Sequence, residues 1–236
     1  MADKTFDIIK HYEKVPADLV AKYAEFDESA SIHECMGKRG SMGGHIKPVW
    51  PGSRICGPAF TVEARPGDNA IIHKALDMLK PGDVLMISYK GDTRTGGMWG
   101  GMMSASAQAQ GAAGMITDGA VRDTMTMKEL GFPVFSSAVN VEGTTKAFPG
   151  KINHPIIMYG VTVNPGDLVF ADNDDVVVVP RAEAQEVYEK TRAREDKEAI
   201  LLKRIQNHEG TTYNLSGFCN KINELIEKGE LTEEPD

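Results

Sequence analysis

The sequence has no apolar run near the roughly 20 residues that a membrane-spanning helix needs. Its opening residues, Met1-Ala2-Asp3-Lys4-Thr5-Phe6-Asp7, lack the apolar stretch of a secretory leader. No membrane role is expected, and the cytoplasm is the expected compartment. Cysteine is scarce: Cys35, Cys56 and Cys219 are far apart, odd in number and form no C-x-x-C. That argues against a disulfide framework or structural zinc, and buried reduced thiols are expected instead. Positive charge is in deficit, with 26 Lys and Arg against 34 Asp and Glu, for a formal charge of −8. Nucleic acid is therefore not an expected partner, because neutralising phosphates takes clustered cations. A local cationic pocket for a small anion remains compatible with that balance. Neither G-x-x-x-x-G-K-[ST] nor a clean G-x-G-x-x-G occurs, so nothing points to a nucleotide.

What is present is an ordinary globular composition of 236 residues, 41% hydrophobic and 25% charged. Such a chain buries roughly 70–75% of its unfolded surface. Residues 1–36 read as a helical segment, with one helix over Asp7 to Tyr12 and a second from Ala17 to Phe26 behind Pro16. Residues 37–180 read as an α/β core. Ala59–Ala64 alternates as a strand should, and Ala70–Lys80 carries apolar residues at helical spacing behind Asp68 and Asn69. Val84–Tyr89 is a buried strand, Met102–Gly111 a small-residue helix, and Gly114–Thr117 a strand ending in a turn at Asp118-Gly119. A helix then runs from Arg122 or Asp123 to Leu130, ahead of a strand from Pro133. Strands fill much of 155–180. Residues 181–236 read as a helical extension and acidic tail, with a long helix from about Ala182 to Asn207. Its stretch Glu189–Glu198 has Ala193 as its one apolar residue, so it is a solvated face or a reach onto a neighbouring subunit.

Two features carry chemistry. Gly96-Gly97-Met98-Trp99-Gly100-Gly101 runs into a helix start at Met102-Met103. Glycines there let backbone N–H groups converge, and a helix N-terminus adds about half a positive charge. A carboxylate or phosphate fits such a cradle, although a tight turn needs the same glycines. The second feature is Asp118-Gly119-Ala120-Val121-Arg122-Asp123. Asp123 can serve as a plain helix cap with Arg122 as its surface neighbour. It can also hold Mg²⁺ with water completing the shell, while the Arg122 fork meets keto or carboxylate oxygens. The six histidines (His11, His33, His45, His73, His154, His208) are scattered without metal-ligand spacing and read as structural or surface groups. Lys90, near the glycine loop, reads as a surface or substrate-facing cation.

Gly101 through Arg122-Asp123 fits G-x20-R-D. Together with Pro66-Gly67-Asp68-Asn69 and His73, Pro81-Gly82-Asp83-Val84, Trp99-Gly100 and Val176–Val179-Pro180, it resembles the RraA-like family over about residues 30–210. The resemblance implies an α-β-β-α sandwich of the swivelling β/α/β type with an added C-terminal helix. It implies a class II pyruvate aldolase, cleaving a 4-hydroxy-2-oxo acid to pyruvate and a second carbonyl compound, with oxaloacetate decarboxylation through the same enolate. The family's other branch implies a non-catalytic regulator of the ribonuclease E machinery. By position, Asp123 matches the ligand of a Mg²⁺ or Mn²⁺ ion and Arg122 the residue on the pyruvyl oxygens. Gly100, Gly101 and the amides of Met102 and Met103 match the carboxylate cradle. Glu198, or else Glu195, matches an acid that reaches a neighbouring protomer's metal through water. The resemblance further implies a homotrimer or homohexamer. The family pattern carries acids where this sequence has Met102 and Thr126, and often a glycine where it has Asp172-Asn173-Asp174-Asp175.

Overall fold

Pro-Gly-Asp turns and short glycine loops cut the apolar runs into strands and helices of modest length. The computed structural model describes residues 7–234, which fall into two units, Met1–Glu189 and Lys190–Asp236. The first unit opens with α1 (Ala17–Tyr23), α2 (Ser29–Cys35), β1 (Lys47–Pro48), β2 (Ile55–Glu63) and α3 (Ala70–Leu76). It continues through β3 (Val84–Ser88), β4 (Gly97–Trp99), α4 (Gly101–Ala109), β5 (Gly114–Val121), α5 (Thr124–Leu130) and β6 (Val134–Val139). Then come β7 (Lys151–Ile152), the hairpin β8 (Ile156–Met158) and β9 (Val161–Val163), β10 (Leu168–Ala171), β11 (Val176–Val179) and the start of α6 (Ala184–Gln206).

The main sheet runs β1-β6-β5-β3-β2-β10-β11, with β4 added on β5 and β7 on β2. Its centre is parallel, β2 to β3 to β5 to β6, which agrees with the strand–helix alternation of 59–136. β2 is shared between two halves. Ala59–Glu63 pairs with β3, while Ile55–Pro58 pairs antiparallel with β10. Three apolar clusters define the layers. One holds α3, α4 and α5 on the sheet through Leu76, Met103, Met127 and Phe132 against Phe60, Leu85 and Trp99. A second lies between strand layers, with Met86, Ile116 and Phe135 facing Val163, Val169 and Val178. The third holds α1 and α2 on β10 and β11 through Leu19, Tyr23, Ile32, Phe170 and Val177. Helix, strand, strand, helix is the resulting order, so the α-β-β-α expectation holds. Each of these fully buried large side chains contributes roughly 1.5–3 kcal/mol.

Local differences have physical reasons. Residues 7–12 are not helical: Ile8 bridges Ile152, the Ile9 N–H donates to the Ile152 carbonyl at 3.1 Å, and the Asn153 side chain donates to the Ile9 carbonyl at 2.9 Å. Pairing with β7 outweighs local helix propensity there. Asp118-Gly119 is not a turn. β5 runs through it to Val121 with a register irregularity between Thr117 and Ala120. Gly97–Trp99, read as loop, is the short strand β4 on β5. The helices over 70–80 and 17–26 are shorter than expected, ending at Leu76 and Tyr23.

The second unit contains the rest of α6, α7 (Thr212–Leu215) and α8 (Phe218–Glu227). Its polar stretch pairs along the helix, Arg192 with Asp196 at 3.0 Å and Arg194 with Glu198 at 2.7 Å. Among the described residues, no helix is long and apolar enough to cross a membrane.

Candidate functional site

The site forms where β4 and β5 end side by side and each feeds a helix. The Arg122 N–H donates to the Trp99 carbonyl at 2.9 Å, which locks the two exits together. Trp99 is buried, and its Nε1–H donates to Ser104 Oγ at 2.7 Å, whose hydroxyl donates to the Gly100 carbonyl at 3.2 Å. That clamp fixes the turn into α4. The first-turn amides of Met102 and Met103 have no acceptor within their own helix, so they remain available to an anion at its N-terminus.

Asp123 occupies the first position before α5 but does not cap it. Its φ of 61° and ψ of 39° are left-handed, a conformation Asp tolerates better than most residues. The side chain turns back to α4, where Oδ2 accepts the Gly101 N–H at 3.1 Å. This contact needs glycine beneath it: a Cβ on Gly100 would stand 2.5 Å from Asp123 Oδ2. A Cβ on Gly97 would stand 2.1 Å from the Asn140 carbonyl oxygen and 2.9 Å from Arg122 Cβ. The glycines therefore admit neighbouring groups as well as shaping a turn.

The cleft so formed, about 150 Å³, is lined by Gly97, Gly100, Met102, Met103, Arg122 and Asp123, and also by Asn69, His73, Met98 and Lys146. Arg122, Asp123 and the glycine–methionine loop thus line one cleft. Lys146 was not singled out from sequence, Asn69 was read as a helix cap and motif residue, and His73 as a motif residue of structural or surface role. Asp68 explains how they arrive. Its buried carboxylate accepts the Ala70 N–H at 2.9 Å, the Thr145 hydroxyl at 2.7 Å and the Ala147 N–H at 2.6 Å, pinning both neighbours of Lys146 beside α3. Burial by itself would raise the Asp68 pKa, but these donors outweigh it and hold the carboxyl below its usual range. The Asn69 side chain donates to the Met98 carbonyl at 3.2 Å, tying α3 to β4. Burial, then the Lys146 ammonium, pushes the His73 imidazole below its ordinary value.

Glu195 and Glu198 lie on α6 in the second unit, beside Arg192 at 4.0 Å and Arg194 at 2.7 Å. Lys90 lies elsewhere, 3.7 Å from Glu63 on the rim of a separate cavity floored by Ser88 and Asp118. Among the described residues, no group of three or more His, Cys, Asp or Glu side chains could hold a metal ion by itself. A divalent ion would have Asp123 as its single protein ligand, through the carboxylate oxygen left over by Gly101. Mg²⁺ accepts such a site, since it keeps most of its waters.

The family model described as RraA-like, Aldolase/RraA, matches residues 27–178. A protein of Halalkalibacterium halodurans, provisionally named a 4-hydroxy-4-methyl-2-oxoglutarate aldolase, is 37% identical over 150 residues, covering 64% of this chain and 71% of its own. The 4-hydroxy-4-methyl-2-oxoglutarate aldolase of Thermus thermophilus is 33% identical over 113 residues, 48% of this chain and 68% of its own. Among solved structures, the RNA-processing inhibitor RraA of Thermus thermophilus superposes with a TM-score of 0.61 at 26% identity, over 66% of this chain and 93% of that one.

Proposed function

The chain belongs to the RraA-like family, and from that premise we propose that it is a lyase of the pyruvate aldolase type. Its substrate is a small 4-hydroxy-2-oxo acid, cleaved between C3 and C4 to pyruvate and a second carbonyl compound. One observation carries this reading: Arg122 and Asp123 face a single small cleft over the N-terminus of α4. Arg122 and Lys146 are cations there and Asp123 the one carboxylate, so the cleft favours an anion although the chain is acidic.

The substrate carboxylate docks on the Met102 and Met103 amides. The Arg122 guanidinium donates to the C2 keto oxygen, where negative charge gathers as the C3–C4 bond breaks. A donor placed at that oxygen typically lowers the barrier by ~3–4 kcal/mol. Asp123 is the residue that would hold a Mg²⁺ or Mn²⁺ ion, and such an ion would supply Lewis-acid polarisation of the keto oxygen. Glu198 or Glu195 from a neighbouring protomer would support its waters. Oxaloacetate decarboxylation needs the same enolate and the same donors, so it is the expected side activity. Exposed apolar Met102, Met125, Val139 and Val141 are surface that a homotrimer or homohexamer would cover, and light scattering would read the assembly directly.

The deciding assay is pyruvate release from 4-hydroxy-4-methyl-2-oxoglutarate, coupled to lactate dehydrogenase, with Mg²⁺ and with EDTA. Arg122→Ala should lower kcat/KM at least a hundredfold while leaving the melting temperature nearly unchanged. No pyruvate release under any metal condition would overturn the lyase reading in favour of a non-catalytic regulator.

A further inference from the structure

Cleavage of the C3–C4 bond requires that the C4 hydroxyl lose its proton, and the cleft contains few groups able to take it. Among the described residues lining it, four can ionise: His73, Arg122, Asp123 and Lys146. The Arg122 guanidinium and the Lys146 ammonium carry donors and no acceptor. Asp123 has one carboxylate oxygen on the Gly101 N–H and its other oxygen is the one assigned above to a divalent ion. The loop position next to Gly101 holds Met102, a thioether, and the α5 position facing Gly101 holds Thr126, so neither supplies a base. His73 remains.

Resting on the lyase reading above, we propose that His73 is the catalytic general base of this chain: its imidazole takes the C4 hydroxyl proton. As that proton leaves, the C4–O bond becomes a carbonyl, and the C3–C4 electron pair moves to form the enolate. The carbonyl product departs, solvent water protonates C3 to give pyruvate, and the imidazolium loses its proton to the hydroxide so formed, restoring the neutral ring. No oxidant, reductant or further reactant is needed. The side chain lines the cleft from α3, one turn beyond Asn69, whose bond to the Met98 carbonyl fixes the start of that helix against β4. The charged groups around it are suited to the role. Partial burial, and then Lys146, whose chain neighbours the Asp68 clamp holds, disfavour the imidazolium before substrate binds. On the same helix Lys74 is paired with Asp77 at 2.9 Å. Arg122 and Asp123 complete the ionisable set. The neutral, proton-accepting ring therefore predominates at pH 7.

The test compares wild type with His73→Gln in two reactions, retro-aldol cleavage of 4-hydroxy-4-methyl-2-oxoglutarate and decarboxylation of oxaloacetate. Only the first removes a hydroxyl proton. His73→Gln should lower the retro-aldol kcat by about 10²- to 10⁴-fold with KM within threefold, and abolish the acid limb of its pH profile. Decarboxylation by the same variant should fall by less than threefold. Lys146→Met should move the wild-type acid limb to higher pH. The proposal is overturned if both reactions fall alike, if neither falls, or if the acid limb survives in His73→Gln. Wild type that decarboxylates oxaloacetate and cleaves the hydroxy acid, with an unaffected variant, removes only the role of His73. Wild type inert towards both removes the lyase reading and this proposal together.

Discussion

The seat of Asp123 against Gly100 gives the sharpest quantitative test of the site. A methyl group at position 100 would lie 2.5 Å from Asp123 Oδ2, against an ordinary contact limit of 3.4 Å. The carboxylate must therefore retreat by about 0.9 Å, which breaks or lengthens its 3.1 Å bond from the Gly101 N–H. A displacement of that size at a reacting centre costs on the order of 10² in rate. Stability should hardly register the change. Gly100 has φ −148° and ψ −174°, extended backbone that alanine adopts freely, and the group that must give way is an exposed side chain. Loss of backbone freedom in the unfolded chain would even return about 0.4–1 kcal/mol. Gly100→Ala should thus lower kcat/KM about a hundredfold while its melting temperature stays within a few degrees of wild type. Activity within twofold of wild type would refute the reasoning, and so would a parallel collapse of activity and stability.

Three further outcomes follow from the same geometry. Gly97→Ala should destabilise by about 2 kcal/mol or more in urea titrations, because its methyl meets the Asn140 carbonyl oxygen at 2.1 Å, and backbone cannot step aside as a side chain can. Asp68→Ala should cost about 2–4 kcal/mol at pH 7, since three buried or half-buried donors lose their acceptor. The Asp68 pKa is lower in the folded chain than its ordinary 3.8, so its contribution is complete above that value and fades as pH falls through the folded one. The gap between wild type and Asp68→Ala should accordingly narrow below about pH 4. Burial pushes the Cys56 thiol up to about 12 from 9.0, so native Cys56 should react with a thiolate-selective reagent about 10³-fold more slowly than an ordinary thiol, as peptide mapping of labelled protein would show.

The parts of this molecule that could be read from sequence are those determined within a few consecutive residues. Val84–Ser88 and Val176–Val179 are strands because β-branched and apolar runs between turns have few alternatives. Gly131 ends α5 in a left-handed conformation, as its place after the last apolar turn implies. Arg122 and Asp123 stood out because they adjoin in sequence and follow a strand. Asp118-Gly119 misled for the converse reason. The dipeptide has turn chemistry, but Asp118 spends its carboxylate on the Tyr89 and Gly91 N–H groups at 2.6 and 3.0 Å, and so serves the strand pairing around it. Asp7–Tyr12 failed likewise, because β7, more than 130 residues later, pairs with that segment.

The site shows the same division in its chemistry. Its proposed anion-binding half, the α4 N-terminus and the Arg122 guanidinium, lies within residues 97–123 and is legible as a motif. The half holding His73 and Lys146 is assembled by Asp68 across 77 and 79 residues of chain, through bonds to Thr145 and Ala147 that no local pattern announces. His73, taken alone, resembles any surface histidine on a short helix. Its proposed role becomes arguable only when the other ionisable groups of the same cleft prove to be an ammonium, a guanidinium and a carboxylate already engaged by the Gly101 N–H. A base defined by what surrounds it cannot be found by spacing. The position of Asp123 depends on surroundings in the same way, since its left-handed backbone is tolerable because Gly100 leaves room for the carboxylate. Substitutions that alter those surroundings, Gly100→Ala on one side and Lys146→Met on the other, therefore probe the chemistry while leaving Arg122, Asp123 and His73 themselves in place.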